Sequence, residues 1–209
     1  MFIKICGITQ KEQANKIGNL GATHIGVIFY PKSPRFIDLD KIKEIKKSLP
    51  ENIKLVAVVV NPEKREVEEL LKIVNMVQFH GEETLEFVKN FPKEKVIKAF
   101  RIKSENDIKK IEPFIKEDYL ILIDAYKEGE YGGTGKQINP ELARKISEMT
   151  DKLILSGGLS SENISKLLEQ INPYGIDASS KLEIEPGIKD LEKVKNFINT
   201  AKEYYERNN

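Results

Sequence analysis

Short apolar runs rich in β-branched residues alternate along this chain with longer charged segments whose apolar residues recur at helical spacing. The apolar runs predict strands at residues 2–5, 24–29, 54–60, 76–79, 96–100, 119–124, 153–156 and 175–178. The charged segments predict helices at residues 10–20, 40–49, 63–74, 83–90, 104–115, 140–149, 161–170 and 190–205. A helix therefore follows every strand, which is the order of a βα repeat.

The predicted helices also carry local signals. One of them has an apolar stripe at the spacing i, i+3, i+4 and i+7, formed by Val67, Leu70, Leu71 and Val74. We expect two serines to be N-caps and two prolines to lie in first helical turns: Ser104, Ser161, Pro62 and Pro140. These signals agree with the spacing of the apolar residues.

Two of the predicted strands are continuous apolar runs, LVAVVV (55–60) and YLILID (119–124), as is typical of parallel strands covered on both faces. Eight βα units in 209 residues are the number for a closed (β/α)8 TIM barrel. The alternative is an open doubly wound sheet, whose nucleotide-binding form carries G-x-G-x-x-G after its first strand. This chain has Cys-Gly-Ile-Thr there. We therefore predict an α/β protein with a single (β/α)8-barrel domain over residues 1–209.

The composition and charge of the chain limit the classes of binding partner that we expect. Lys and Arg number 34 against 33 Asp and Glu, so the net charge of +1 gives no electrostatic reason to expect nucleic acid or an anionic membrane. No apolar run approaches the ~18 residues of a membrane span, and the N-terminus lacks a signal peptide pattern. A single cysteine is consistent with a reducing compartment, and we expect a cytoplasmic protein.

Cys6 is the only cysteine and ends the first apolar run, where a barrel strand would meet the active-site face. A lone thiol cannot form an intramolecular disulfide. Free cysteine is among the most buried residue types, so packing is one interpretation of Cys6 and catalysis is the other.

Other candidate residues follow later strands. Asp124 ends YLILID, where partial desolvation would raise the pKa of its carboxyl group and suit it to be a general acid. A helix cap or an ion pair is the alternative for Asp124. Arg35 could hold a carboxylate with two parallel hydrogen bonds. His80 and Arg101 are further candidates for substrate binding, although most arginines are simply solvated.

The loops after the last two strands have the composition of a phosphate site. Gly157 and Gly158 follow strand 7, and Ser179 and Ser180 follow strand 8. Adjacent glycines expose backbone N–H groups to an anion, and barrels often hold phosphate between these two loops. The alternative for Gly157-Gly158 is a tight turn.

A third glycine-rich segment, GGTGK (132–136), follows strand 6. It fails the phosphate-loop template because Glu130 and Gln137 occupy two required positions. A mobile lid is its functional interpretation and a solvated surface loop is the alternative. Two histidines and one cysteine, far apart in the order of units, do not form a zinc ligand set, so we expect no metal ligands.

Ten short segments, in chain order and about one to each βα loop, carry a resemblance. They are KICGIT (4–9), FYPKSPR (29–35), VVNP (59–62), VQFHG (77–81), KAFR (98–101), LIDAY (122–126), GGTGK (132–136), LSGGL (155–159), GIDASS (175–180) and EPGIKD (185–190). Together they resemble phosphoribosylanthranilate isomerase of tryptophan biosynthesis, an aromatic amino-acid pathway. Lys181 departs from the family, which usually has glycine after the serine pair.

The resemblance implies a cofactor-independent Amadori rearrangement. N-(5-phosphoribosyl)anthranilate would become 1-(2-carboxyphenylamino)-1-deoxyribulose 5-phosphate. The family's base aligns with Cys6, its acid with Asp124 and its anthranilate-binding arginine with Arg35. Its phosphate loops align with Gly157-Gly158 and Ser179-Ser180. A thiol that acts as base near neutral pH needs a modestly lowered pKa, which nearby positive charge would supply. The expected partner is a small phosphorylated substrate, and the expected state is a monomer or homodimer.

Three alternatives stay open. A related or bifunctional sugar-phosphate isomerase of histidine biosynthesis would carry aspartate at the position of Cys6. A pentose-phosphate epimerase on the same fold would need paired histidines as metal ligands. A noncatalytic phosphate-binding barrel would not need a thiol and a carboxyl group facing one another.

Overall fold

The computed structural model describes residues 1–125 and 139–208. The glycine-rich segment 132–136, which we interpreted as a lid or a surface loop, lies outside the described residues. Eight parallel strands are β1 (Phe2–Ile5), β2 (His24–Ile28), β3 (Lys54–Val59), β4 (Met76–Phe79), β5 (Val96–Ile102), β6 (Leu120–Ala125), β7 (Leu153–Leu155) and β8 (Gly175–Ala178). The helices are α1 (Lys11–Leu20), α2 (Leu39–Ser48), α3 (Lys64–Leu71), α4 (Leu85–Val88), α5 (Ile108–Lys116), α6 (Pro140–Ser147), α7 (Ile164–Ile171) and α8 (Leu191–Asn208).

The strands form a closed barrel in chain order, with β8 hydrogen-bonded to β1. This closure sets Lys4 beside Asp177 and Ile5 beside Ala178 in the register of the sheet. The predicted (β/α)8 TIM barrel is therefore confirmed.

Alternation along each strand divides the apolar residues into two cores. Odd positions of β1, such as Ile3 and Ile5, face the helices and belong to the large core between barrel and helices. Phe2 instead packs inside the barrel, with Val56, Met76, Ile97, Ala99, Leu122 and Ile154. Because side chains alternate with a period of two, Lys4 and Cys6 face the same barrel interior as Phe2, nearer the C-terminal ends of the strands.

Two expected helix starts are wrong. Ser161 lies in a turn, and α7 begins at Ile164 after Asn163, whose side chain accepts the backbone N–H of Ser160 at 2.9 Å. Pro62 precedes α3, which has Glu63 as its N-cap. At α3 the side chains of Glu63 and Glu66 form a capping box, which satisfies backbone groups at the start of the helix and leaves Pro62 outside it. Pro140 does occupy the first turn of α6.

An antiparallel hairpin between β8 and α8 was not predicted. After a 3-10 turn (Ser180–Leu182), the chain forms β9 (Glu183–Glu185) and β10 (Ile188–Lys189). Its strands are too short and too charged to show strand periodicity. The hairpin matters because it carries the buried side chains of Glu183 and Lys189 to the C-terminal face of the barrel.

A buried ion pair ties the loop after β4 to β5. Lys98 donates to Glu83 at 2.9 Å, and both side chains are 2% exposed. The carboxylate of Glu83 also accepts the backbone N–H groups of Asn61 at 2.8 Å and Gly81 at 3.0 Å. Lys98 donates further to the carbonyl oxygen of Gly81. Glu83 thus satisfies three donors that water does not reach.

Replacing Glu83 with alanine should lower the free energy of unfolding by about 3–5 kcal/mol, because it leaves the Lys98 ammonium group buried without its counter-ion. Urea unfolding of the two proteins measures this loss. Glu69→Ala is the matched control, since Glu69 pairs with Lys72 on the exposed surface of α3 and such pairs contribute little. A loss for Glu83→Ala no larger than that of the control would contradict the structural role of the pair.

Candidate active site

The C-terminal half of the barrel interior is polar, in contrast to the apolar layer beneath it. Cys6 at the end of β1, Asp124 on β6 and Asp177 on β8 all face inward and are buried. Asp124 follows the interior residue Leu122 by the two-residue step of a strand, and Cys6 follows the interior residue Phe2 by two such steps. The two residues that the sequence favours as base and acid therefore lie at the same mouth of the barrel.

Cys6 is 6% exposed, and its backbone N–H donates to the carbonyl oxygen of Ala178 at 2.9 Å. Burial raises the pKa of its thiol, and the charge of Asp177 adds to the rise. Lys4 and Lys189 act in the opposite sense. Burial outweighs their positive charges, so the protein's own charges do not supply the lowered thiol pKa that a base near neutral pH needs.

Lys4 is fully buried within an apolar strand. Its ammonium group lies 3.0 Å from a carboxylate oxygen of Asp177, the residue beside it in the register of β1 and β8. Burial alone would lower the pKa of Lys4, but the charges of Asp177 and Cys6 outweigh it and the pKa is raised. The ammonium group is therefore charged at the floor of the site.

Asp124 is 4% exposed, and its Oδ1 accepts the backbone N–H of Ala125 at 2.8 Å. Burial, followed by the charge of Asp177, raises the pKa of its carboxyl group to about 7. The direction is the one expected from its place at the end of an apolar strand. A carboxyl group with such a pKa still holds its proton near neutral pH, so it can donate one.

His80 follows β4 and faces Asp124 across the mouth, with 3.6 Å between His80 Nε2 and Asp124 Oδ2. Burial lowers the pKa of His80 to about 3, so its ring is neutral. The contact is longer than a hydrogen bond and is not an ion pair. Nδ1 contacts the side-chain amide of Gln78 at 3.0 Å, whereas the buried Nε2 has no hydrogen-bond partner among the described residues.

Arg35, expected to clamp a substrate carboxylate, is held by a carboxylate of the protein itself. Its Nε and Nη2 donate to Glu183 on β9 at 2.9 and 2.6 Å. Glu183 also pairs with Lys189 at 2.6 Å, and Lys189 reaches the carbonyl oxygen of Ser179 at 3.2 Å. The hairpin thus connects Arg35 to the loop after β8.

The loops after β7 and β8 come together as expected for a phosphate site. Residues of both loops line one narrow cavity beside Asp124, including Gly157, Gly158, Ser179 and Ser180. Gly157 and Gly158 have φ angles of 94° and 65°, values that favour glycine. A Cβ on Gly157 would lie 2.7 Å from the backbone nitrogen of Ala125. The glycines are therefore needed for both the turn and its close approach to β6.

Arg101 lies near the end of β5. It pairs with Glu82 at 2.8 Å and lines a second cavity of about 400 Å³, together with His80 and Phe100. Arg101 is the register partner of Asp124, so their side chains share the inner face of the barrel. The structure therefore brings all nine predicted site residues to one end of the barrel, in two adjoining regions.

Sequence reasoning missed Lys4, Glu183 and Lys189. A lysine two residues before Cys6 in an otherwise apolar strand was a detectable signal for the first, because strand alternation places the two side chains on one face. The other two gave no local signal, since their burial depends on the hairpin folding over the barrel.

None of the helices in the described part of the chain is long and apolar enough to cross a membrane.

The model of one protein family, described as N-(5'-phosphoribosyl)anthranilate (PRA) isomerase, matches residues 3–200 of this chain. The chain belongs to this family. Membership agrees with the inward-facing thiol and carboxyl group and with the paired glycine and serine loops, and it confirms the resemblance that the ten sequence segments carry.

Curated relatives in the PRA isomerase family match over almost their whole length. The N-(5'-phosphoribosyl)anthranilate isomerase of Sulfurihydrogenibium sp. (strain YO3AOP1) is 58% identical over 202 residues, covering 97% of this chain and 99% of the relative. The enzyme of Aquifex aeolicus (strain VF5) is 46% identical over 202 residues, covering 96% and 98%.

Solved PRA isomerase structures share the fold. The phosphoribosyl anthranilate isomerase of Thermotoga maritima superposes with a TM-score of 0.90 at 33% identity, covering 97% of this chain and 99% of that one. A second structure, a complex with reduced 1-(o-carboxyphenylamino)-1-deoxyribulose 5-phosphate, gives a TM-score of 0.87 at 32% identity with the same coverage.

Proposed function

We propose that this chain isomerises N-(5'-phosphoribosyl)anthranilate by an Amadori rearrangement, with Asp124 as general acid and Cys6 as general base. The observation that carries the proposal is the pairing of two inward-facing groups at one mouth of the barrel. One is a buried carboxyl group with a pKa of about 7, and the other is a thiol beside the Lys4 ammonium group.

In the first step, Asp124 donates its proton to the ring oxygen of the aminoaldose. The ring carbon–oxygen bond breaks, and the nitrogen lone pair forms a C=N bond, so the product is an open-chain iminium ion. A carboxyl group whose pKa lies near the working pH is suited to this task, because it is protonated before the step and a stable anion after it.

In the second step, the Cys6 thiolate removes the proton from sugar C2. The electron pair of that C–H bond moves toward the iminium nitrogen and forms an enolamine, which tautomerises to the aminoketose. The iminium charge both acidifies the C2 proton and favours the nearby thiolate. Over the cycle, the proton that Asp124 gives and the one that Cys6 takes balance.

The substrate is anionic at both ends, and the proposed contacts follow its charge. We assign the 5-phosphate to the backbone N–H groups of the loops at Gly157-Gly158 and Ser179-Ser180. The anthranilate carboxylate goes to Arg35, where it would compete with Glu183 for the guanidinium group. Arg101 and neutral His80, in the adjoining cavity, line the remaining wall of the substrate site.

The phosphate assignment predicts that Gly158→Val raises KM at least about tenfold, with kcat changed less, because the side chain blocks the anion's approach to the backbone. Steady-state kinetics measure the two constants separately. Gly21→Val is the matched control. Gly21 also has a positive φ, 109°, but lies at the end of α1, before β2 begins and away from the site. An unchanged KM in folded Gly158→Val would contradict the assignment.

The function itself is tested with purified protein and N-(5'-phosphoribosyl)anthranilate, whose loss is followed by fluorescence. We expect turnover without added metal or cofactor. A protein that binds the substrate but does not turn it over would overturn the catalytic proposal, and the noncatalytic alternative would then hold. A second assay with the histidine-pathway aminoaldose distinguishes a bifunctional enzyme.

We further propose that the chain works in the cytoplasm on this phosphorylated substrate. A solved relative from Thermotoga maritima is described as dimeric and was also obtained as monomers. For this chain, monomer or homodimer remains a prediction.

A further inference from the structure

Lys4 is a buried charge that the proposed mechanism does not use. It is 0% exposed, and the Asp177 carboxylate at 3.0 Å balances its charge but uses only one of the three hydrogens that the ammonium group can donate. Burying an ammonium group is costly unless its partners repay the desolvation. An aliphatic residue would fill the position at lower cost if packing were its only task.

The Lys4 side chain also lies beside the sulfur of Cys6, and its positive charge favours the thiolate. The two side chains leave the same face of β1 two residues apart and converge over Gly26 of β2. A Cβ on Gly26 would lie 2.8 Å from Cys6 Sγ and 2.9 Å from Lys4 Cε. The missing side chain at Gly26 therefore provides the space in which both groups pack.

Three charged groups act directly on Cys6, each from a different strand: Lys4 on β1, Asp177 on β8 and Lys189 on β10. Lys189 is engaged by Glu183 at 2.6 Å, and Glu183 in turn binds Arg35. Asp124 faces the same mouth from β6 and is coupled to Asp177. Of the two lysines, Lys4 packs beside the sulfur over Gly26 and has the larger effect on the thiol pKa.

We propose that Lys4 is the positioning residue for the catalytic base: its ammonium group, shared between Cys6 and Asp177, stabilises the thiolate form of Cys6 that burial disfavours. This inference rests on the proposed role of Cys6. When the sulfur takes the proton from C2, the ammonium group keeps Asp177 as its counter-ion. No unpaired charge is then left in the buried site.

The test uses the pH dependence of iodoacetamide alkylation, followed by mass spectrometry. Cys6 is the only cysteine of the chain, so the modified site is unambiguous. Lys4→Met removes the ammonium group but retains a side chain of similar length. Alkylation at pH 7 should slow about tenfold or more, and its midpoint should move to higher pH, since each unit is a tenfold change in thiolate.

Asp177→Asn should move the midpoint the other way, because the carboxylate disfavours the thiolate and competes with it for Lys4. This opposite shift separates charge tuning from damage to the fold, which would shift both variants alike. Midpoints that do not move, or that move in the same direction, overturn the inference. If Lys4→Met does not fold, Asp177→Asn alone tests the inference. An unchanged or higher alkylation midpoint in Asp177→Asn would then overturn the inference.

Lys98→Met is the matched control, since it also removes a buried lysine paired with a carboxylate but does not contact Cys6. Its alkylation midpoint should equal that of the wild type.

The kcat of Lys4→Met should fall at neutral pH and recover as pH rises. If the alkylation midpoint of Lys4→Met does not move, the inference about Lys4 is overturned, while the assignment of Cys6 as base is unaffected. If the midpoint moves but the pH profile of kcat does not change, Cys6 is not the base, and the inference about Lys4 fails with it.

Discussion

Cys6→Ser should lower kcat by roughly 10²–10⁴-fold, the usual contribution of a general base, or about 3–5 kcal/mol of transition-state stabilisation. A serine hydroxyl remains protonated near neutral pH, so position 6 carries no anion and the C2 proton has no acceptor. KM should change much less, because the phosphate loops and Arg35 are untouched. Steady-state kinetics with the fluorescent substrate measure both constants.

Cys6→Ala is the control for the serine. It also lacks the base but places no hydroxyl in the site, so an equal loss in both variants traces the effect to the missing thiolate. Circular dichroism and urea unfolding should show a folded barrel in each case. If Cys6→Ser keeps more than about a tenth of the wild-type kcat, the loss is smaller than a general base contributes. Packing would then be the role of Cys6.

Asp124→Asn should lower kcat by a similar factor, roughly 10²–10⁴-fold, because the amide cannot transfer a proton to the ring oxygen. The wild-type kcat/KM should rise with pH up to about 7 and then level off, because above that pH the loss of the Asp124 proton offsets the gain in Cys6 thiolate. The residual activity of the variant should show no such levelling and should keep rising above pH 7. A wild-type profile that keeps rising above pH 7, or a variant with near-normal kcat, would contradict the assignment.

The stability of Asp124→Asn separates lost chemistry from a damaged fold. The folded-state pKa of Asp124, about 7, lies above the 3.8 of an aspartate side chain in an unfolded chain. The folded protein therefore keeps a proton that the unfolded chain loses, and Asp124 makes stability fall as pH rises from about 4 to about 7. An asparagine carries no such penalty. The variant should unfold in urea at pH 8 at a concentration no lower than the wild type does.

The sequence by itself determined the order of strands and helices. Apolar runs such as LVAVVV and YLILID are found as β3 and β6, and glycine pairs, serine pairs and single polar residues follow the strands. Strand alternation also brings Cys6 and Asp124 inward, because each lies an even number of residues from an apolar interior position. The ten segments were sufficient to recognise the family that the comparisons establish.

Only the tertiary structure decided what surrounds those residues. Closure of the barrel joins Lys4 to Asp177 across 173 residues, and the hairpin brings Glu183 to Arg35 across 148 residues. Local pattern fixes the face on which a side chain lies but not its neighbours across the barrel, because those follow from register and closure. The sign of the Cys6 pKa shift depends on such neighbours and on burial. It could therefore not be read from the sequence, whereas the rise for Asp124, which comes first from burial at the end of an apolar strand, was predicted.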